Sequence, residues 1–256
     1  MKKAVIIIGM GEMASVFARG FLRNGHAVFP VLHDMNMLQC AETYPEPELV
    51  LVSVAENDLQ AVLKQLPAVW KEHLVLLQNE LLPNDWLQHG LVKTSVISVW
   101  FEKKKGQDAK VIIPSPIYGE KSKVVFDALA SINIAVTCLK TEDDLLFELV
   151  VKNVYIITTN VAGLKVGGTV GELWQKHQKL AQDIATEVLQ IQQLMTQKTF
   201  DKTAVINAVV NAFNGDLNHK CMGRSAPARL QRALDQAQQY RIDVPVLTAI
   251  KAIQNN

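Results

Sequence analysis

Cysteine is scarce in this chain: there are three, Cys40, Cys138 and Cys221, widely spaced, with no Cys-x-x-Cys pair and no histidine at metal-ligand spacing. An odd and scattered set excludes a disulfide-stapled scaffold, so no structural metal is expected and a reducing cytoplasm is the compartment the chain suits. Net charge is scarce too. Twenty-six Lys and Arg against 25 Asp and Glu leave +1, which provides no electrostatic footprint for nucleic acid or an anionic membrane as partner. The one basic run, Glu102-Lys103-Lys104-Lys105, reads as a solvated loop. Internal repeats and low-complexity tracts are missing beyond a mild glutamine enrichment. What remains is 256 residues, 49% hydrophobic, enough to bury a large core in one large or two modest domains.

The most informative segment is the start. Ala4 to Ile8 is apolar and breaks into Gly9-Met10-Gly11-Glu12-Met13-Ala14, a Gly-x-Gly-x-x-Ala turn that continues as a helix with Val16, Phe17, Phe21 and Leu22 at helical spacing. The first glycine permits a tight turn, the second lets backbone approach a pyrophosphate, and small Ala14 lets the helix lie close on the strand. Amide groups at the helix start then face the phosphates, aided by the helix dipole. The apolar stretch ends in this turn and not in a cleavage site, so no signal peptide is expected. Gly25 suits a helix end and Ala27 to Leu32 a second strand, closed by His33 and Asp34. Asp34 lies 20 residues beyond Ala14, where an acid can meet the adenine ribose hydroxyls. The residues expected to hold a dinucleotide are therefore 9 to 14, with His33 and Asp34.

Apolar runs at Glu48–Val54, Leu74–Gln78, Thr94–Val99, Lys110–Ile113 and Ile134–Leu139 read as further strands, with helices over Asp58–Leu66 and Val124–Ile132. This alternation predicts an α/β fold, a doubly wound, largely parallel sheet of the Rossmann type over residues 1–140. Residues 141–256 read as an all-helical domain, with a long helix over Gly171–Gln197 and others over Thr203–Phe213 and Ala226–Tyr240, the last with Ser225 as N-cap. The long helix's stripe could pair with a second copy, so a homodimer stays open.

Asp143 to Gly163 is apolar on most faces but contains Glu148, Lys152, Asn153 and Asn160. A charge at mid-span is costly in lipid, so the segment reads as the centre of the helical domain and no membrane is expected as partner. Lys152 and Asn160 share a face two turns apart. Lys152 is then either a functional buried lysine or a side chain snorkelling to solvent beside Glu148.

Together these residues resemble the ketopantoate reductase (2-dehydropantoate 2-reductase) family over essentially the whole chain. Leu76-Leu77-Gln78-Asn79 is similar to the asparagine-bearing end of the family's fourth strand, and Lys152 with Asn160 to its lysine-bearing helix. Gly25-His26 and Ile242-Asp243-Val244-Pro245 follow in the same order. The resemblance implies Lys152 as general acid in hydride reduction of a small 2-keto acid or related carbonyl, with Asn79 holding cofactor and substrate and Asn160 orienting the reacting groups. There are departures. Ile156 and Ser225 stand where the family has an asparagine and a glutamate, Glu80 where it has glycine, and Ala55 where it often has lysine. The resemblance implies NADP. His33, in place of the family's phosphate-binding arginine and next to Asp34, leaves NAD equally open. The expected function is that of an NAD(P)-dependent oxidoreductase acting on a small molecule. The alternative is a catalytically weakened dinucleotide-binding or sensor protein on the same fold.

Overall fold

The computed structural model describes residues 2–254. The chain divides into two compact units, Met1–Glu148 and Leu149–Asn256, each considered by itself below.

In the first unit a seven-stranded sheet has the order β2-β1-β3-β4-β5-β8-β9. Its strands are β1 (Val5–Ile8), β2 (Val28–Val31), β3 (Leu49–Val52), β4 (Leu74–Leu76), β5 (Ser95–Ile97), β8 (Ser115–Tyr118) and β9 (Val136–Cys138). A separate ribbon joins β6 (Phe101–Glu102) to β7 (Lys110–Val111). The helices are α1 (Glu12–Arg23), α2 (Met37–Thr43), α3 (Leu59–Lys64), α4 (Asn84–Leu87) and α5 (Ser122–Ala130). β1, β3 and β4 are buried at every residue, as continuous aliphatic runs require when helices cover both faces of a parallel sheet. α1 turns Ala14, Phe17 and Phe21 into that core. It also packs on α5 at Gly20, where a Cβ would stand 2.5 Å from the Ala128 carbonyl oxygen.

The expected doubly wound sheet is present, with two corrections. Lys110–Ile113 does not join it, because β7 pairs antiparallel with β6 in the ribbon. The sheet position belongs instead to β8, which runs antiparallel to β5 and parallel to β9. β8 contains Pro116, whose carbonyl accepts from Ser98 N–H at 2.9 Å, so the residue contributes the one ladder group it possesses.

The remaining helices are α6 (Glu142–Val166), α7 (Val170–Lys176), α8 (Gln178–Thr196), α9 (Lys202–Gly215), α10 (Ala226–Tyr240) and α11 (Pro245–Gln254). The boundary between units falls within α6. α6 is long and apolar enough to cross a membrane, and 78% of its most apolar window is buried inside the protein. In the second unit α8 packs against α7, α9, α10 and α11. The single helix expected over Gly171–Gln197 is two. A Thr169–Glu172 capping box starts α7, and the helix breaks at His177 (φ −133°, ψ 32°). Trp174 still packs on Phe213, but every residue from Gln175 to Lys179 is exposed, so nothing tethers that turn to the core. α11, which the sequence did not announce, begins at Pro245 directly after the non-helical residues 242–244. The Glu187 carboxylate of α8 accepts from the Val246 and Leu247 N–H groups at 2.8 and 2.9 Å, and so caps its start.

Candidate active site

The strand order steps outward in opposite directions from β1 and β3, so a crevice opens at their carboxyl ends, where doubly wound sheets hold ligands. The glycine turn lies there. Gly9 N–H donates to the Val31 carbonyl and Ser53 N–H to the Ile8 carbonyl, at 2.9 and 2.8 Å, which ties the turn to the ends of β2 and β3. Gly9 has φ +85°, and a Cβ on it would stand 2.8 Å from the Ser53 carbonyl oxygen. Gly11 differs: a Cβ there would meet no atom within 4 Å. The space beside it lies at the first turn of α1, whose N-cap makes no side-chain hydrogen bond. Met10 and Glu12 are exposed, Met13 is half-buried and Ala14 is sealed against the sheet. His33 and Asp34 are exposed in the turn after β2, whose register places Val31 beside Ile8.

One charge in this turn has a partner the sequence did not disclose. The Glu12 carboxylate receives a hydrogen bond from Lys103 Nζ at 3.1 Å, with the lysine side chain only 17% exposed. The basic run is thus not simply a solvated loop: Lys103 reaches back from the β6–β7 ribbon to the helix start, while Lys104 pairs with Glu102.

Beyond β4, Gln78 is buried and its Nε2 donates to the Val52 carbonyl at 2.8 Å, clamping the ends of two neighbouring strands. Asn79 follows, half-buried, with no hydrogen bond to its amide among the described residues. Glu80 then takes φ +60°, the left-handed region that favours glycine, so the turn is built without the glycine that would hold it unstrained. Ala55 and Ser225 are exposed; Ser225 occupies the N-cap position of α10 but its side chain caps nothing.

In the second unit α6 carries Lys152, Ile156 and Asn160 one turn apart, all buried. Lys152 does not snorkel; it is 8% exposed, and its Nζ lies 5.9 Å from the centroid of the Tyr155 ring. Loss of solvation and then the nearby Arg229 charge pull its pKa from 10.5 down to about 7. Asn160 Oδ1 accepts from Arg229 Nη1 at 3.1 Å, and Arg229 is itself buried in the first turn of α10. Arg229 had escaped the sequence reading. Its signal was the buried stripe Ala226, Leu230, Ala233 and Ala237, which it interrupts with a charge. Asn153, beside Lys152, donates to Gln192 Oε1 at 2.8 Å and links α6 to α8.

His219 lies on a segment occupied with structure. Its carbonyl accepts from Val170 N–H at 2.9 Å, and Cys221 N–H donates to the Gly168 carbonyl at 3.1 Å. Burial pushes the Cys221 thiol up to about 11, so it stays a neutral packing group.

No family model and no curated protein sequence matches the chain at a significant level. Solved structures do. 2-Dehydropantoate 2-reductase from Methylococcus capsulatus superposes with a TM-score of 0.69 at 13% identity, over 98% of this chain and 96% of that one. The fold is that of the ketopantoate reductases. The ketopantoate reductase from Ralstonia eutropha gives a TM-score of 0.68 at 14% identity over 99% and 97% of the two chains. D-Mandelate dehydrogenase in complex with NADH gives 0.68 at 13% over 98% and 97%. The ketopantoate reductase fold therefore accounts for almost every residue of the chain, the helical half included.

Proposed function

We propose that the chain is a nicotinamide-dinucleotide-dependent oxidoreductase that reduces the carbonyl of a small 2-oxo acid to the corresponding 2-hydroxy acid. The observation that carries this is Lys152, an ammonium buried on the face it shares with Asn160 and held near neutral pH, where a general acid works best. The neighbours' activities support the same reading: the fold recurs in ketopantoate reductases and in a D-mandelate dehydrogenase solved with NADH.

The glycine turn fits a dinucleotide diphosphate: Gly9 shapes the bend, and the backbone amides of residues 12 to 14 at the start of α1 would hold the phosphates. His33 and Asp34 stand at the ribose end. When bound, the dinucleotide supplies the hydride. The carbonyl carbon accepts that electron pair, the C=O π pair moves onto oxygen, and Lys152 gives its proton to that oxygen and is left a neutral amine. Asn79, with its amide uncommitted, would hold the nicotinamide end by hydrogen bonds. Ile156 favours a second reading, a protein that binds the dinucleotide but turns over slowly, because the middle of the lysine face offers no polar group to the substrate.

Thermal melts of the whole chain with NADH and with NADPH come first, followed by absorbance of the reduced nicotinamide against a panel of 2-oxo acids. The expected result is stabilisation by at least one dinucleotide and turnover that falls about 100-fold or more in Lys152→Met. Stabilisation without turnover selects the second reading. A melt indifferent to both dinucleotides overturns both.

A further inference from the structure

We propose that Lys103 is a binding residue for the dinucleotide's diphosphate, held beside the glycine turn by Glu12 in the free protein and transferred to the phosphate oxygens when the dinucleotide arrives. The proposal rests on the dinucleotide reading of that turn, and every residue in it belongs to the first unit.

The turn carries a charge of the wrong sign for its ligand. Glu12 follows Gly11 directly and is the first residue of α1, where a helix start favours an anion. In the free protein that placement is favourable. Beside a diphosphate the same carboxylate repels. Lys103 answers the repulsion from 91 positions away: its Nζ donates to Glu12 Oε2 at 3.1 Å and to the Lys104 carbonyl at 2.9 Å, and its side chain is 17% exposed against 45% for the glutamate. An ammonium has three donors, so these two bonds leave one for a further acceptor.

The lysine is not what seats the β6–β7 ribbon on α1. Phe101 packs on Phe17 with ring centroids 5.9 Å apart, both rings buried, and Asp108 in the ribbon's loop pairs with Arg19 at 3.6 Å. Glu12 and Arg19 are seven residues apart, so the ribbon follows one face of α1 for two turns. With its backbone held by these contacts, Lys103 can change partner through its side chain alone. Its neighbours are placed differently. Lys104 pairs with Glu102 and Lys105 is exposed, so the basic run sends one ammonium to the helix start.

The exchange runs in one direction. A partly exposed pair with a single carboxylate is weak, whereas a diphosphate offers more negative charge and stronger acceptor oxygens at the same place. Glu12, on a flexible stem and nearly half exposed, then turns to water. The amides of the first turn of α1 and one ammonium share the diphosphate, and the glutamate keeps that ammonium in place until it is needed.

The test is titration calorimetry of the whole chain with NADH and with NADPH. Glu12→Gln is expected to tighten both about 3-fold or more, and Lys103→Gln to weaken both about 10-fold, as loss of a charge-assisted bond requires. The decisive protein is the double variant. A lysine that touches phosphate leaves Glu12→Gln/Lys103→Gln about 10-fold weaker than Glu12→Gln, with the difference shrinking as KCl rises from about 50 to 500 mM. A double variant that binds as tightly as Glu12→Gln would mean that Lys103 only masks the glutamate, and the proposal is overturned. A loss confined to NADPH overturns it too, because the lysine would then serve the ribose phosphate. Melting temperatures without ligand should agree within about 2 °C across the set, since an exposed ion pair contributes little. Should Lys103→Gln melt lower, Lys103→Arg in the Glu12→Gln background keeps the charge and is expected to restore binding. Wild type that binds neither dinucleotide would instead overturn the reading of the turn itself.

Discussion

The buried lysine should make the protein less stable in the pH range where it is most useful. Lys152 titrates at about 7 in the folded chain and at 10.5 when unfolded, first because burial strips its water and second because Arg229 repels it. At pH 6 both states are protonated, and the folded one carries the whole penalty. At about 1.4 kcal/mol per pH unit, the displacement corresponds to roughly 5 kcal/mol. Contact with the Tyr155 ring offsets about 1 kcal/mol of it. Between pH 7 and 10.5 the unfolded chain binds the extra proton, so unfolding free energy rises with pH across that window. Replacing Lys152 by methionine keeps the volume and removes the charge. Urea melts followed by helical circular dichroism should show Lys152→Met more stable than wild type by several kcal/mol at pH 6, converging with it towards pH 10. Reductive turnover should follow the opposite course, present below about pH 7 and lost as the amine deprotonates above it. Parallel stability curves for the two proteins from pH 6 to 10 would show that the ammonium is solvated after all, and the acid assignment would lose its physical basis.

The two turn glycines should separate fold from ligand. Gly9→Ala forces a Cβ against the Ser53 carbonyl oxygen at a positive φ, so a lowered melting temperature and lost dinucleotide binding are expected together. Gly11→Val enters open space, so its melting temperature without ligand should match wild type while stabilisation by NADH or NADPH disappears. Equal loss of stability in both variants would argue against a diphosphate cradle. At Glu80, φ +60° costs a non-glycine residue about 1 kcal/mol, so Glu80→Gly should raise the melting temperature by about 2–4 °C. A lower melting temperature would mean that the glutamate side chain contributes more than its backbone costs.

How far the fold was legible depended on the range of the forces involved. β1, β3 and β4 are aliphatic at consecutive positions, a pattern only a two-sided burial explains, and they lie where the sequence placed them. β8 was not read as a strand because a proline's meaning depends on which of its groups faces a neighbour, and the strands beside Pro116, β5 and β9, are set by tertiary pairing. The short helix α2 could have been read from Asn36, whose Oδ1 accepts from Leu38 N–H at 2.9 Å in a local cap. α11 could not, since the carboxylate that caps it is Glu187, some 60 positions earlier.

The same division runs through the site. The bend at residues 9 to 14 is a backbone feature, and backbone conformation is written locally in the glycine spacing, so the sequence alone could place it. A proton donor is made by its surroundings. Nothing adjacent to Lys152 in sequence separates a snorkelling lysine from a buried one; Arg229, 77 positions later, helps set its proton affinity. The charge that distinguishes this face is visible in sequence only as an arginine interrupting an apolar stripe on α10. It acquires meaning when the fold brings that stripe against Asn160. Chemistry borrowed from a second element is therefore read from contacts: burial begins the lysine's shift and the arginine's placement adds to it. A variant that moves Arg229, such as Asn160→Ala, should raise the pH at which Lys152 titrates even though it leaves the lysine untouched.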